Sequence, residues 1–233
     1  MSVSPKTKRR LRTLHRAWSV ALSRIETDQL RDLLINRHVY RQLADGFAGR
    51  FREDDGHALF DWSQQVYIAF AATAIRRMAE KGWVTKSGKR KSVSLVGLLE
   101  DMGSSVDVLT RERFGRLYPR HVPSGLVDRD FEGIVRCRKK TEMPPGRIKR
   151  DIREIVRVCA PIRRLTDKSV AHSDRDRRTV GKVSIRQIDN AVNVLEATYR
   201  RYCLLVNGVV RSGVPLADYD VSQDVRRLFR SST

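Results

Sequence analysis

The sequence holds few residues of the kinds that build metal-held or covalently cross-linked sites. Its three cysteines, Cys137, Cys159 and Cys203, lie far apart and form no CxxC pair, and its five histidines include no HExxH motif. Structural zinc sites and disulfide frameworks need such residues at short spacings. We therefore expect no metal site and no cofactor. Cys159 and Cys203 fall on apolar faces of predicted helices, so both are expected to be small core residues.

Long apolar runs are also absent. No stretch reaches the roughly 18 apolar residues that a membrane-spanning helix needs, and the basic N-terminus lacks the apolar core of a signal peptide. Hydrophobic residues make up 40% of the chain and charged residues 32%, which is typical of a globular protein rather than a disordered one. A cytoplasmic protein with no membrane partner is the expectation.

No segment shows the apolar–polar alternation of a β-strand, whereas apolar residues recur at helical spacing along the chain. The clearest helix begins at a capping box formed by Ser184 and Gln187, and Gly208 is expected to end it. Its apolar residues follow the seam of a helical bundle. They are Ile185, Ile188, Val192, Leu195, Tyr199, Tyr202 and Val206. The sequence therefore predicts an all-α bundle, with this seam buried within one chain or between two copies.

The predicted helices divide the chain into three parts. Residues 1–27 form a basic N-terminal extension, an amphipathic helix with seven Lys or Arg and no acidic residue up to position 25. This helix is expected either to pack on the domain or a partner, or to touch RNA. Residues 28–210 form the helical domain, and residues 211–233 form a tail with a short helix.

Two helices of the domain carry specific expectations. The helix predicted over residues 59–81 has a broad apolar face, which is typical of a helix in the centre of a bundle. A later helix begins near Arg147 and contains Pro161. Because proline has no amide hydrogen to donate, it is expected to kink or restart this helix.

The chain is strongly basic, with 47 Lys or Arg against 27 acidic residues and a formal net charge of +20. Such an excess indicates a polyanionic partner, most simply a nucleic acid whose phosphates it neutralises. Basic segments at 6–16, 86–91 and 136–150 are the candidate contacts. The alternative is a genome whose codon usage favours arginine, since arginine dominates the excess and is spread along the chain.

Residues 167–178, DKSVAHSDRDRR, contain the one histidine with a chemically suggestive setting. If the preceding helix continues, then Arg164, Lys168 and His172 lie four residues apart on one face. The two cations would lower the pKa of His172 and keep it ready to accept a proton. The same cations would hold a phosphate, while Asp174 orients the imidazole. Such a set suits metal-free cleavage of RNA, whose 2′-hydroxyl is an internal nucleophile.

A structural interpretation competes with this one. A histidine at a helix end also hydrogen-bonds the last carbonyl groups and complements the helix dipole. The flanking charges would then form a solvated, self-paired face. Because charge runs usually lie on surfaces, the spacing alone favours this second interpretation for His172.

Two segments carry a resemblance to a known family. Residues 162–174 read IRRLTDKSVAHSD, similar to an RDKxxAHxD pattern, and residues 74–102 contain AIRRMAEKGW and then SVSLVGLLEDM. Together with the tyrosine-bearing last helix, they make the chain resemble the abortive-infection-associated branch of the HEPN superfamily over roughly residues 28–208. The resemblance implies a helical bundle, commonly a homodimer. In active members an arginine and a histidine from each subunit cut RNA without metal.

The resemblance also assigns roles to residues. His172 corresponds to the family histidine and Asp167 to the polar residue that follows the family arginine, but the arginine position itself holds Thr166. Either Arg164 replaces that arginine or the site is not catalytic. The residues expected to support the site or bind phosphate are Lys168, Asp167, Asp174 and Arg175. Arg77 carries the other arginine typical of the branch, and we expect it to be a charged helix end.

Three functions follow as hypotheses. The first is a metal-independent ribonuclease of a bacterial abortive-infection or toxin–antitoxin system. The second is a non-catalytic module on the same fold that binds nucleic acid or a partner protein. The third is a structural or regulatory helical protein, one member of a defence pair with a cognate antitoxin or other partner, whose charge is genomic background.

Overall fold

The computed structural model describes residues 5–48, 58–81, 93–137, 140–167, 183–209 and 216–228. Within these residues the fold is all-α, as predicted, and the β structure is limited to an isolated bridge between Thr110 and Glu142. In this part of the chain the α-helices are α1 (Pro5–Ile25), α2 (Arg31–Ala48), α3 (Ala58–Ala79), α4 (Leu95–Gly103), α5 (Arg111–Gly115), α6 (Ser124–Val135), α7 (Pro145–Leu165), α8 (Ile185–Asn207) and α9 (Ser222–Leu228).

Helices α3, α7 and α8 form the centre of the bundle. Each of them packs against the other two, α2 packs on α3, and α4 packs on α7. The N-terminal helix α1 lies against α4 and α8 and buries Trp18, Leu22 and Ile25 completely. These side chains belong to the same apolar cluster as those of the predicted helical domain. The basic N-terminal helix is therefore amphipathic, with one face in the core and with exposed arginines from Arg9 to Arg24.

Helix α8 forms as its sequence predicts. The hydroxyl of Ser184 accepts from the backbone N–H of Gln187, and the Gln187 side chain accepts from the Ser184 backbone in return. All the seam residues from Ile188 to Val206 are buried, while Ile185 is partly buried. Gly208 ends the helix with φ of 70°, a left-handed conformation that glycine adopts without strain. The seam is thus buried within one chain.

Helix α7 runs without interruption through Pro161 to Leu165, so the predicted restart does not occur. Proline removes one backbone hydrogen bond, but this helix packs against α3, α4 and α8 at once. Ile155, Cys159 and Ile162 are completely buried on either side of the proline. Tertiary packing therefore holds the helix together where local preference would break it.

The prediction that α3 is buried along a broad face is wrong for its N-terminal half. Its second half buries Ile75 and Met78 completely, as expected. Four large apolar residues between positions 59 and 70 instead point outward, and we call them the α3 stripe. They are Leu59, Trp62, Val66 and Phe70, which are 51%, 62%, 47% and 37% exposed. Apolar residues lie on more than one side of α3, and the described helices cover only one of these sides.

Cys159 and Cys203 are core residues, as their positions on apolar helix faces predict. Cys159 and Cys203 are buried, Cys137 is exposed, and none of the three forms a disulfide. Burial among apolar groups raises the pKa of the Cys159 thiol to about 12, because the thiolate would be poorly solvated there. These buried thiols are therefore packing residues. Separately, none of the helices in the described ranges combines the length and apolarity required to span a bilayer.

Candidate functional site

The predicted site is only partly within the described residues. His172, Lys168, Asp174 and Arg175 fall in residues 168–182, which lie outside them, and so does the basic segment 86–91. Arg164 and Asp167 are described, as are Thr166 and the C-terminal end of α3. We call residues 168–182 the histidine-bearing segment, and the described contacts lie where the chain enters it.

Thr166 has a structural role at the end of α7. It is 1% exposed, and its hydroxyl donates to the Arg163 carbonyl at 2.8 Å and to the Ile162 carbonyl at 3.4 Å. Both carbonyl groups also accept from the backbone N–H of Thr166, so the hydroxyl is a second donor that bonds back onto the last turn of the helix. A guanidinium at this buried position would have to displace packed neighbours. The threonine at position 166 thus suits the packing of the helix end.

Asp167, the next residue, receives a guanidinium from a different helix. Its Oδ1 lies 3.1 Å from Nη2 of Arg76 on α3, and the Nε of Arg76 also lies 3.5 Å from Oε1 of Glu80. Both partners are partly exposed, so the ion pair contributes at most about 1 kcal/mol to stability. Its main effect is positional, because it ties the end of α3 to the start of the histidine-bearing segment.

Sequence reasoning missed Arg76 and singled out its neighbour Arg77. Arg77 is exposed, in agreement with a charged helix end, whereas Arg76 follows Ile75 on the side of α3 that packs on α7. The helical spacing of the sequence could have identified Arg76. Its neighbours on the helix surface, Ala72, Ile75 and Ala79, are completely buried. An arginine bordering a buried helix face is expected to reach toward the packed neighbour.

The end of α3 is itself held in place by α4. Ser94 is 1% exposed, its hydroxyl donates to the Glu80 carbonyl at 2.7 Å, and it accepts from the backbone N–H of Gly97 at 3.0 Å. One serine therefore caps the start of α4 and satisfies a carbonyl at the end of α3. This double contact gives Arg76 a rigid support.

Two arginines lie in the described part of the site, one near the end of α3 and one on the last turn of α7. Arg164 is exposed on the last turn of α7, three residues before Asp167, and makes no ion pair with a described residue. Arg76 approaches Asp167 from α3. Guanidinium groups bind phosphate in a forked geometry and stay charged at any physiological pH. Arg76 is already paired with Asp167 and Glu80, whereas Arg164 is open to solvent.

The basic segment at 136–150 is less available than its sequence indicates. Helix α7 starts at Pro145, so the last residues of the segment are helical. Arg147 is 6% exposed and pairs with the buried carboxylate of Asp151 at 3.1 Å. Burial, the largest influence, lowers the pKa of this guanidinium. Arg147 is thus part of the core and is not free to contact a phosphate.

Comparisons with known proteins add no assignment to this geometry. No protein-family model matches the chain, and neither do any curated protein or solved structure.

Proposed function

We propose that the chain is a metal-independent endoribonuclease of the HEPN type, acting on RNA in the cytoplasm as part of a bacterial defence system. The observation that carries the proposal is the contact between Arg76 and Asp167, three residues after the exposed Arg164. Thr166 removes the arginine that the family uses, and these two arginines supply guanidinium groups from neighbouring positions. The net charge of +20 favours a polyanionic substrate.

The proposed chemistry needs only the chain and its substrate. His172 takes the proton of a ribose 2′-hydroxyl, and the freed oxygen attacks the adjacent phosphorus. The bond from phosphorus to the 5′-oxygen breaks, and that oxygen receives the proton that His172 has taken up. The products are a 2′,3′-cyclic phosphate and a 5′-hydroxyl end. Arg164 or Arg76 stabilises the charge on the pentavalent phosphorus, and Lys168 and Arg175 bind the flanking phosphates.

Cleavage of RNA by the purified chain in EDTA tests this proposal. We expect His172→Ala to lower the cleavage rate about 100-fold or more, because it removes the proton acceptor. Arg76→Ala and Arg164→Ala reveal which guanidinium replaces the family arginine. Arg157→Ala is the matched control, since Arg157 is exposed on α7 two turns before Arg164. The proposal fails if the wild-type chain does not cut RNA, or if His172→Ala cuts it equally well.

A second candidate is a non-catalytic module that binds nucleic acid on the same fold. The observation that favours it is the buried, internally bonded hydroxyl of Thr166, which indicates that this helix end is built for packing. Such a module binds RNA without cutting it, and its affinity falls steeply as salt rises. Binding that does not change between low and high salt would count against this candidate.

We further propose that two copies of the chain pair through the α3 stripe. From Ala58 to Ile75 the helix carries one charged residue, Asp61, in a chain where 32% of residues are charged. Two chains of net charge +20 repel each other, so a self-association surface is expected where cations are missing. The same absence of cations makes this face unsuited to nucleic acid. A twofold interface also requires a self-complementary surface, and an apolar stripe meets that condition.

The area of the stripe agrees with the centre of a dimer interface. An aromatic side chain has about 150–250 Å² to bury, so the exposed fractions of Trp62 and Phe70 together with the two aliphatic residues leave roughly 350–400 Å² uncovered. A stable interface buries about 800 Å² per partner, with an apolar centre and a polar rim. The stripe supplies such a centre, and Asp61 and Gln65, which are also exposed, lie at its rim.

Sedimentation equilibrium of the full chain tests the pairing. We expect the wild-type chain to be dimeric at micromolar concentration and Trp62→Glu to weaken association about 30-fold or more, because it places a charge at the apolar centre. Leu126→Glu is the control, since Leu126 is an exposed leucine on another helix, α6. A wild-type chain that stays monomeric, or a dimer that both variants weaken equally, would contradict the assignment of this face.

A further inference from the structure

A second group of basic side chains lies away from the histidine-bearing segment, around a cavity between α1 and α5. The cavity measures about 460 Å³. Arg12 and His15 line it from α1, and Arg113 and Arg116 line it from α5 and the residue after it. Two carboxylates, Asp107 and Glu112, also reach its wall. Nothing in the spacing of the sequence indicates this cluster, because about a hundred residues separate its two halves.

The carboxylates of the wall are already paired with other arginines. Glu112 forms an ion pair with Arg116, and Asp107 lies 3.9 Å from Arg10. Among the described residues, none lies within ion-pair distance of Arg12 or Arg113. Two cations therefore face the cavity without a compensating negative charge.

Of these two cations, Arg113 has the higher desolvation cost. Its side chain is half-buried, and burial and the neighbouring Arg116 lower its pKa. Removing a charged group from water without a partner is unfavourable, and a structure that retains such a group usually provides a counter-charge. Since the described residues provide none, an anion from solution is the natural partner.

His15 adds a group that responds to such an anion. Its Nε2 lies 2.7 Å from the carbonyl oxygen of Val206 in α8, which orients the ring and assigns the N–H of the neutral form to Nε2. Burial, and then the charge of Arg113, lower the pKa of this imidazole, while the Val206 carbonyl raises it. Together these influences favour the neutral form of the ring. The charged groups that share the cavity with it are Arg12, Arg113, Arg116, Asp107 and Glu112.

We propose that this cavity binds a phosphate group, held by Arg12 and Arg113 with His15 beside it. Guanidinium groups match the oxygen geometry of phosphate, and the cavity is large enough to admit a phosphate with part of an attached nucleoside. The ligand is a phosphate monoester or inorganic phosphate. It comes either from the terminal phosphate of a nucleic acid or from a free small molecule. This site does not depend on the proposed ribonuclease activity, because it shares no residue with the histidine-bearing segment.

Calorimetric titration of the full chain with inorganic phosphate, at constant ionic strength, tests the site. We expect Arg12→Gln/Arg113→Gln to weaken phosphate binding about 10-fold or more, since each charge-assisted hydrogen bond to the anion is lost. Arg24→Gln/Arg186→Gln is the control. It removes the same charge from two exposed arginines, on α1 and α8, that do not line the cavity. Binding to the control is expected to change less than about twofold.

Two further measurements complete the test. Arg12→Gln alone acts at an exposed position and is expected to weaken binding without affecting folding, so the site remains testable if the double variant unfolds. Phosphate is also expected to raise the pKa of His15, followed by NMR of the ring protons, because a bound anion favours the imidazolium.

Binding measurements with matched RNA oligomers distinguish the two sources of the phosphate. Tighter binding of a 5′-phosphorylated oligomer than of its 5′-hydroxyl counterpart, lost in Arg12→Gln/Arg113→Gln, assigns the cavity to a nucleic-acid end. Equal binding of the two oligomers, with phosphate binding retained, assigns it to a free ligand. The proposal is overturned if inorganic phosphate does not bind, or if the cavity variant and the control lose affinity equally. RNA cleavage by His172→Ala is measured separately, so failure of one proposal is distinguishable from failure of the other.

Discussion

Replacing Asp151 by alanine is expected to lower the free energy of unfolding by about 3–5 kcal/mol, the largest single-site effect expected in this chain. The Asp151 side chain is 1% exposed, and its Oδ1 lies 3.1 Å from Arg147 and 3.0 Å from Arg201. Its Oδ2 accepts a hydrogen bond from the hydroxyl of Tyr202 at 3.0 Å. Removing this carboxylate leaves two cations and a phenol without their common partner in the interior.

The arrangement explains the size of the expected loss. Arg147 and Arg201 keep only 5% and 17% of their side-chain surface, so water cannot replace the lost carboxylate. Burial and the nearby carboxylate raise the pKa of Tyr202, which therefore stays protonated and remains a donor. The network joins the first turns of α7 to the last turns of α8. Its loss should weaken the packing of the two central helices against each other.

Urea unfolding followed by circular dichroism measures this effect. Asp151→Asn keeps the shape of the side chain and removes its charge, and it is expected to lose nearly as much stability as alanine. Asp128→Ala is the control, because Asp128 pairs with Arg111 at the surface with 49% of its side chain exposed. Such a pair contributes at most about 1 kcal/mol. A loss below about 1 kcal/mol for Asp151→Ala would show that the network does not stabilise the fold.

Replacing Trp18 by alanine is the second large effect, with an expected loss of about 3–5 kcal/mol. Trp18 lies on the N-terminal helix α1, is completely buried, and donates from its indole Nε1 to a carboxylate oxygen of Asp101 on α4. Alanine leaves a cavity where the indole was and removes the donor that Asp101 uses. The result would establish that α1 is an integral part of the folded unit.

Two controls separate the contributions at Trp18. Trp18→Phe retains most of the buried surface and removes the indole N–H, so its loss is expected to be about 1–3 kcal/mol. Val20→Ala changes an exposed residue of the same helix, 44% exposed, and should stay within about 0.5 kcal/mol of the wild type. If Trp18→Ala matched Val20→Ala in urea unfolding, α1 would be an attached extension that contributes nothing to the core.

Features with local causes could be predicted from the sequence. The capping box at Ser184, the seam of α8 and the glycine at its end act over a few residues, and all of them form as expected. Pro161 shows the limit of local reasoning, because packing against three helices keeps α7 continuous across a residue that disfavours helix. Likewise, apolar residues at helical spacing indicate that a helix has an apolar face, but they do not indicate whether another element covers that face. The exposed α3 stripe is the result.

The candidate site was harder to predict because its contacts join distant parts of the chain. Asp167 meets Arg76 only because α3 and α7 pack in a particular register, which no local pattern encodes. The same holds for Arg147. The sequence predicts that it belongs to a basic loop, whereas in the structure it belongs to a buried network with Asp151 and Arg201. The predicted role of His172 stays a prediction, since the residue lies outside the described ranges.

Arg76, which binds Asp167, and the α3 stripe lie on the same helix, so the distance between them is set by the helix. Arg76 lies about 17 Å along the axis from the middle of the stripe, at a rise of about 1.5 Å per residue. If two copies pair through the α3 stripe with their α3 helices in the same direction, their Asp167 carboxylates lie at the same level along the helix axes. Opposite directions would set them about 35 Å apart along the axis. Under the proposed ribonuclease activity, the direction of this helix pair would therefore decide whether one chain or two can approach a single scissile bond.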